Sequence, residues 1–233
     1  MSPTGEYARV DLRASPRHPG VLERIGVHLR SGGLVAYPTE TVYGFGCVLE
    51  PAALARLARL KERGEDAPFL LLTPDESSVE DLRWSPEARE LAEVFWPGAL
   101  TLVLEDPSGS YPSEVRGPTG GVAVRRTPHP VAGALVVALG APLTSTSANP
   151  PGGEPATTAD EAAEAARAVG ATVDEMWILD GGRLPPSPPS TIVDLTGDDL
   201  RVIREGAVPA RRLACARSKS RTSGSRSPGR GTP

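Results

Sequence analysis

AYPTETVYGFG, Ala36 to Gly46, lies after the apolar pair Leu34-Val35 and before a helix-like segment that begins near Pro51. Residues 34–37 read as a short buried strand. Pro38 then removes a backbone donor, and Gly44 and Gly46 permit close backbone approach. Between them Thr39 and Thr41 offer hydroxyls and Glu40 a carboxylate. Taken alone, the stretch is equally an ordinary turn or the wall of a binding site. The elements on either side of it decide the fold class, because regular strand–helix alternation and irregular alternation build different sheets.

Upstream, residues 1–17 read as a loose lead-in with an edge strand near 8–12. Apolar residues at 21, 22, 25 and 29 predict a helix over 21–30, stopped by Gly32-Gly33. Downstream, Pro51 and the Leu54/Leu57/Leu60 stripe predict a helix over 51–63 with Gly64 as its stop. Strands are predicted at 69–72, 100–104, 122–126, 143–146, 177–179, 191–195 and 200–203. Further helices are predicted after the Ser85-Pro86 cap, over 130–139, and from the capping box Thr158-Ala-Asp-Glu161 to 169. No internal repeat is visible, and Pro185 to Pro189 reads as a loop between sheet members. Strands and helices alternate irregularly, and the last two strands have no helix between them. That predicts one α/β domain (α+β-like) on a mixed sheet over residues 18–210, not a regular doubly wound fold.

Composition narrows the setting. Of 233 residues, 39% are hydrophobic and 23% charged, as in a globular soluble protein. No apolar run approaches the ~20 residues of a membrane span. The N-terminus carries Glu6 and Asp11 with no apolar core, so no signal peptide is expected. Cys47 and Cys215 form neither a disulfide framework nor a metal-ligand spacing, which fits a reducing cytoplasm. The charge is uneven. Residues 211–233 hold seven basic and no acidic side chains, which leaves residues 1–210 with 18 basic against 29 acidic and a formal charge of −11. The basic segment, rich in Ser, Gly, Arg and Pro, reads as a disordered tail. Whether it is a solvated extension or touches RNA through counterion release stays open. The acidic body argues against nucleic-acid binding over the whole surface.

Four further segments carry polar chemistry. In Lys61-Glu-Arg63, Lys61 is the sole lysine before the tail; two cations at a helix C-terminus either complement its dipole or clamp a polyphosphate. Thr144-Ser-Thr-Ser-Ala-Asn149 puts hydroxyls and an amide at the end of an apolar strand, suited to local capping or to phosphate and ribose. In GGVAVRR, 120–126, alternation places Ala123 and Arg125 on one face and Arg126 on the other, so one arginine is free to line a cleft. PSTIVDLTGDDLRVIREGA opens one strand with Ser190-Thr191 and closes the next with Arg204. There is no Walker loop, GxGxxG, HExxH or CxxC. His18, His28 and His129 are scattered, which speaks against a histidine metal site or a Ser-His-Asp triad. His28 points away from the apolar stripe of its helix and is expected on the surface.

In their order these segments resemble the YrdC/TsaC family of threonylcarbamoyl-AMP synthases, over about residues 21–208. The matching motifs are YPTETVYG, KER, FWPGALTLVL, VAVRRTPHP, TSTSAN, ILDGG, PSTIVDLT and IREGA. The resemblance implies a single domain whose twisted mixed sheet curves around one deep basic cavity. It implies ATP with Mg2+, L-threonine and bicarbonate as substrates, and no organic cofactor or protein-bound metal site. N-carboxythreonine would attack the α-phosphorus of ATP, and other proteins would transfer the product's threonylcarbamoyl group to tRNA as t6A. By resemblance, Lys61 and Arg63 act catalytically on the ATP phosphates, and Ser147, Asn149 and Arg204 bind the nucleotide. Thr41, Arg125, Ser145 and Ser190 bind threonine. Ala67, Leu72, Gly121 and Pro150-Pro151 depart from the family pattern and bear on which amino acid is accepted. The alternatives are a non-catalytic relative that contacts tRNA or double-stranded RNA, and an adenylate-forming relative using another amino acid or a carbamoyl substrate.

Overall fold

The computed structural model describes residues 5–63 and 67–214. Expectations about residues 1–4, the Gly64 stop and 215–233 lie outside them. Ten strands form one mixed sheet in the order β1-β8-β2-β3-β7-β4-β6-β5-β9-β10. In chain order these are β1 Ala8–Asp11, β2 Leu34–Pro38, β3 Tyr43–Gly46, β4 Leu70–Leu72, β5 Leu100–Glu105, β6 Gly121–Arg125, β7 Leu143–Ser147, β8 Met176–Asp180, β9 Thr191–Asp194 and β10 Arg201–Arg204. The helices are α1 Pro19–Arg30, α2 Pro51–Leu60, α3 Pro86–Phe95, α4 Pro130–Leu139 and α5 Ala159–Ala168. The mixed α/β sheet and the edge position of β1 match the sequence reading.

The AYPTETVYGFG stretch is a β-hairpin. Val35 pairs with Gly46, Ala36 with Phe45, Tyr37 with Gly44 and Pro38 with Tyr43. β3 is absent from the expected strands because its two glycines lower strand propensity. Packing requires them: a Cβ on Gly46 would fall 2.1 Å from the Thr144 carbonyl oxygen and 2.8 Å from the Tyr37 ring, and one on Gly44 3.1 Å from the Thr146 oxygen. β3 is thereby wedged between β2 and β7, and it brings the 39–42 turn beside the 145–147 segment.

Alternation along the strands splits the core. Leu34, Ala36, Phe45, Leu71, Val124, Leu102 and Val193 face α2, α3 and α5. Val35, Tyr37, Leu72, Leu143 and Leu179 face α1 and α4. Among the described residues α1 and α4 are the helices packed on this second face, and they cover the β2 side of the sheet. Over β7, β6 and β9 the same face stays uncovered, and its side chains change from Leu and Val to Ser145, Ser147, Ala123, Arg125 and Ile192.

The helix ends obey local chemistry. Ser85 accepts from Ala88 N at 3.1 Å, and Thr158 accepts from Glu161 N at 3.2 Å. The reciprocal arm of the capping box is displaced by one residue, since Glu161 Oε2 accepts from Thr157 N at 2.7 Å. α2 stops at Leu60, three residues before the predicted end. Arg63 N bonds Ala58 O at 3.0 Å and Glu62 N bonds Arg59 O at 3.2 Å, a Schellman closure with Glu62 at φ 48° where glycine is usual. Lys61-Glu62-Arg63 is therefore a turn that can aim both cations to one side.

Two expectations are corrected. His28 is buried, not exposed: it stacks on Trp177 with ring centroids 4.4 Å apart, and its Nε2 lies 2.9 Å from Leu34 O. Burial lowers its pKa. The apolar stripe of α1 is too narrow a guide here, because β8 reaches beyond it with a tryptophan. The folded body also continues past 210. Residues 210–214 are helical and Leu213 is buried.

Candidate active site

The uncovered half of the sheet is the floor of a cavity of about 600 Å³. Its walls are the 39–42 turn, the 145–147 end of β7, Glu154 to Thr157, and the proline-rich loop through Pro186 and Pro189. Of the residues singled out in the sequence, Thr41, Arg63, Arg125, Ser145, Ser147, Ser190 and Arg204 line it. Lys61 and Asn149 stand behind the wall.

Lys61 organises that wall. It is 7% exposed, and its Nζ donates to Ser147 O at 2.9 Å, Asn149 O at 2.6 Å and Asn149 Oδ1 at 3.0 Å. All three ammonium protons thus meet acceptors from the TSTSAN turn. Asn149 adds Nδ2–H to Gly153 O at 2.7 Å and accepts from Ser147 Oγ at 2.5 Å. Burial, and then the Arg63 charge, lowers the Lys61 pKa to about 8. Arg63 donates from Nη1 to Ala67 O at 3.0 Å and Pro68 O at 2.9 Å, and lies over the Phe69 ring. Burial lowers its pKa too.

A second cation pair joins different strands. Arg204 on β10 donates from Nη2 and Nε to Ser190 O at 2.8 and 3.1 Å, and Ser190 Oγ lies 3.0 Å from Thr101 Oγ1. Arg204 has a lowered pKa, from burial first and then from Arg125. Arg125 is 4% exposed and ion-paired to Glu40, Nη1 to Oε1 at 2.8 Å. Its Nε is buried without a hydrogen-bond partner among the described residues. Thr41 Oγ1 sits 3.1 Å from Thr39 Oγ1, which also donates to Val42 O at 2.8 Å and so stiffens the turn. Glu40, Thr39, Glu154 and Thr157 received no role from the sequence. Glu40 is visible there as a carboxylate, but its partners Arg125 and Thr127 are more than eighty residues away.

Arg126, one residue beyond the end of β6, opens onto a separate cavity of about 520 Å³ beside α4, with Arg17, His129 and Val137. The two arginines thus line different cavities.

Three of the departing positions, Ala67, Leu72 and Gly121, have structural places of their own. Ala67 serves through its carbonyl oxygen, which holds Arg63. Leu72 is fully buried in the α1/α4 core. A Cβ on Gly121 would meet Val103 Cγ1 at 2.6 Å and Thr196 Cγ2 at 2.9 Å, so these two side chains already occupy the space of a hydroxyl residue. Among the described residues no three His, Cys, Asp or Glu side chains cluster to hold a metal ion, and no helix is long and apolar enough to cross a membrane.

Comparison with known proteins places this geometry. A family model of Sua5, YciO and YrdC domains, described as "Telomere recombination", matches residues 27–206. The threonylcarbamoyl-AMP synthase of Thiobacillus denitrificans is 40% identical over 186 residues, which are 78% of this chain and 95% of that protein. P. abyssi Sua5 complexed with L-threonine superposes with a TM-score of 0.79 at 31% identity, over 91% of this chain and 61% of that one. E. coli YciO superposes with a TM-score of 0.76 at 25% identity, over 90% of this chain and 100% of that one. The chain thus spans about three fifths of the Sua5 chain and the whole of YciO. The cavity floor, the motif order and these likenesses agree, and the chain belongs to the Sua5/YciO/YrdC family.

Proposed function

We propose that this chain is a threonylcarbamoyl-AMP synthase. L-threonine and bicarbonate give N-carboxythreonine; its new carboxylate attacks the α-phosphorus of ATP, and pyrophosphate leaves. The observation that carries this reading is a single cavity lined by Arg63, Arg125 and Arg204, with Lys61 just behind its wall beside Arg63. The reaction gathers a polyphosphate and an amino-acid carboxylate, and each needs fixed positive charge close by.

Arg63 carries the phosphate side, with its guanidinium already fixed by two carbonyls. Lys61 adds charge through space and holds the Ser147–Asn149 turn that meets the nucleotide. Arg125 takes the threonine carboxylate, with Thr41, Ser145 and Ser190 around the rest of the amino acid. Arg204 supplies charge between the two halves. Magnesium would enter with ATP as part of the substrate and offset charge on its phosphates. The catalytic work is positioning and electrostatics, so no histidine base is required.

The product is a reactive mixed anhydride. A separate acceptor-binding protein takes it on to tRNA, and the cytoplasm is the compartment for that chemistry. The name of the Thiobacillus denitrificans relative and the share of it that this chain covers support this over a non-catalytic RNA binder.

The test is pyrophosphate release from ATP, magnesium, bicarbonate and each amino acid in turn. Threonine is expected to give the highest kcat/KM. An absence of release with every amino acid would overturn the proposal. Arg63→Ala is expected to lower turnover by about 10²-fold, comparable to losing one transition-state donor; a near-normal rate would remove Arg63 from the phosphate side.

A further inference from the structure

Glu40 has no part in the catalytic scheme, yet it sits in the turn beside the cavity with one carboxylate oxygen ion-paired and the other hydrogen-bonded. Oε1 faces Arg125 Nη1 at 2.8 Å, and Oε2 accepts from Thr127 Oγ1 at 2.6 Å. The Glu40 side chain is 15% exposed and that of Arg125 5%. Thr127 is anchored in turn, since its Oγ1 accepts from His129 N at 3.1 Å at the entry to α4. The turn that bears Glu40 is stiffened by Thr39, whose hydroxyl also accepts from Thr41 N and Val42 N at 3.3 Å.

We propose that Glu40 is a positioning and specificity-determining residue for the amino-acid substrate, an inference that rests on the synthase function. With Nη1 engaged by Glu40, the edge of Arg125 left for a ligand is Nε with Nη2. Nε is the buried donor without a partner among the described residues. A carboxylate that takes Nε and Nη2 in two parallel bonds satisfies it. Glu40 therefore chooses which edge of the guanidinium meets the substrate, and Thr127 holds Glu40 in the pose that makes the choice.

The same carboxylate sets a charge count. Arg125 and Arg204 together with Glu40 amount to one net positive charge. That matches one carboxylate. An amino acid with an acidic side chain brings a further carboxylate toward Glu40 on the side where Arg125 and Arg204 already face the α-carboxylate, and like-charge juxtaposition disfavours it. The Arg125 side of the pocket is thereby set for the α-carboxylate alone, while the carboxylate gained from bicarbonate turns toward Arg63 and ATP.

The experiment is steady-state pyrophosphate release by wild type, Glu40→Gln and Thr127→Val, with threonine and aspartate varied separately from ATP. Glu40→Gln keeps the size and the acceptor toward Thr127 but removes the charge. It is expected to raise the threonine KM about tenfold with the ATP KM within about twofold, the loss of one charge-assisted contact. It is also expected to narrow the threonine-over-aspartate ratio of kcat/KM. Thr127→Val is expected to move the threonine KM in the same direction by a smaller factor, and it keeps the test available if Glu40→Gln folds poorly. A threonine KM unchanged in both variants, or threonine and ATP KM values rising together, would overturn the role of Glu40 while leaving the synthase reading intact. A wild type that is inactive with every amino acid would overturn both.

Discussion

Lys61 has the most constrained environment of any side chain at the site. Its ammonium is buried, sits near Arg63, and is held by three oxygens of the 147–149 turn, with a pKa lowered to about 8. Between about pH 8 and the ordinary lysine value of 10.5, the folded protein has released this proton while the unfolded chain still holds it. The unfolded state then binds more protons, so this group's contribution to stability rises with pH through that window. Function runs the other way. The expected outcome is a nucleotide affinity that weakens as pH rises past about 8, measured by titration with ATP, and a flatter profile in Lys61→Arg, whose guanidinium stays charged. An unchanged profile in that variant would assign the titration to another group. The motifs are legible residue by residue because each places its polar groups within a few positions. Glu40 is not, because its meaning lies in an ion pair and a hydrogen bond across the sheet.

Glycine placement and helix termination account for the elements that patterning misreads. Among the described residues patterning locates α1 to α5 and nine of the ten strands, and it misses the helical turn at 210–214. It also misses β3, where Gly44 and Gly46 give up side chains so that the strand can pass Thr144 and Thr146. Gly46→Ala is expected to destabilise the protein by about 3 kcal/mol, since the added Cβ meets backbone with no flexible neighbour to yield; denaturant unfolding measures it. A loss under ~0.5 kcal/mol would mean β3 is held less tightly than its contacts imply. Glu62 is the converse case, a non-glycine residue at φ 48°. Glu62→Gly is expected to stabilise by about 1 kcal/mol, or a few degrees in melting temperature, by relieving a left-handed residue. The α2 terminus is overrun in the sequence reading because residues 61–63 look helical by composition; a positive φ leaves no mark there.

At the scale of the whole molecule, the cavity is a consequence of incomplete coverage. α1 and α4 shield the β2 side of one face, and the other side of that face remains bare and polar. The α/β class and the mixed sheet are readable from irregular alternation. The strand order is not, because β8 inserts between β1 and β2, and β9 beside β5, through pairings that join distant parts of the chain. The body is acidic in sum, while Arg63, Arg125 and Arg204 gather at its cavity, an arrangement that focuses anions there. Removal of residues 216–233 is expected to leave turnover within about twofold, since the catalytic charge sits in the body. Adenylation of a threonine that has first gained a carbon from bicarbonate is the chemistry that sets this enzyme apart from its alternatives, and isotope tracing reads it without intermediary. The protein is incubated with ATP, magnesium, threonine and 13C-bicarbonate, and the nucleotide products are resolved by mass spectrometry. The expected product is an adenylate that carries threonine and one 13C atom, formed together with pyrophosphate. Pyrophosphate release with an adenylate that lacks the label, or no adenylate at all, would refute that chemistry.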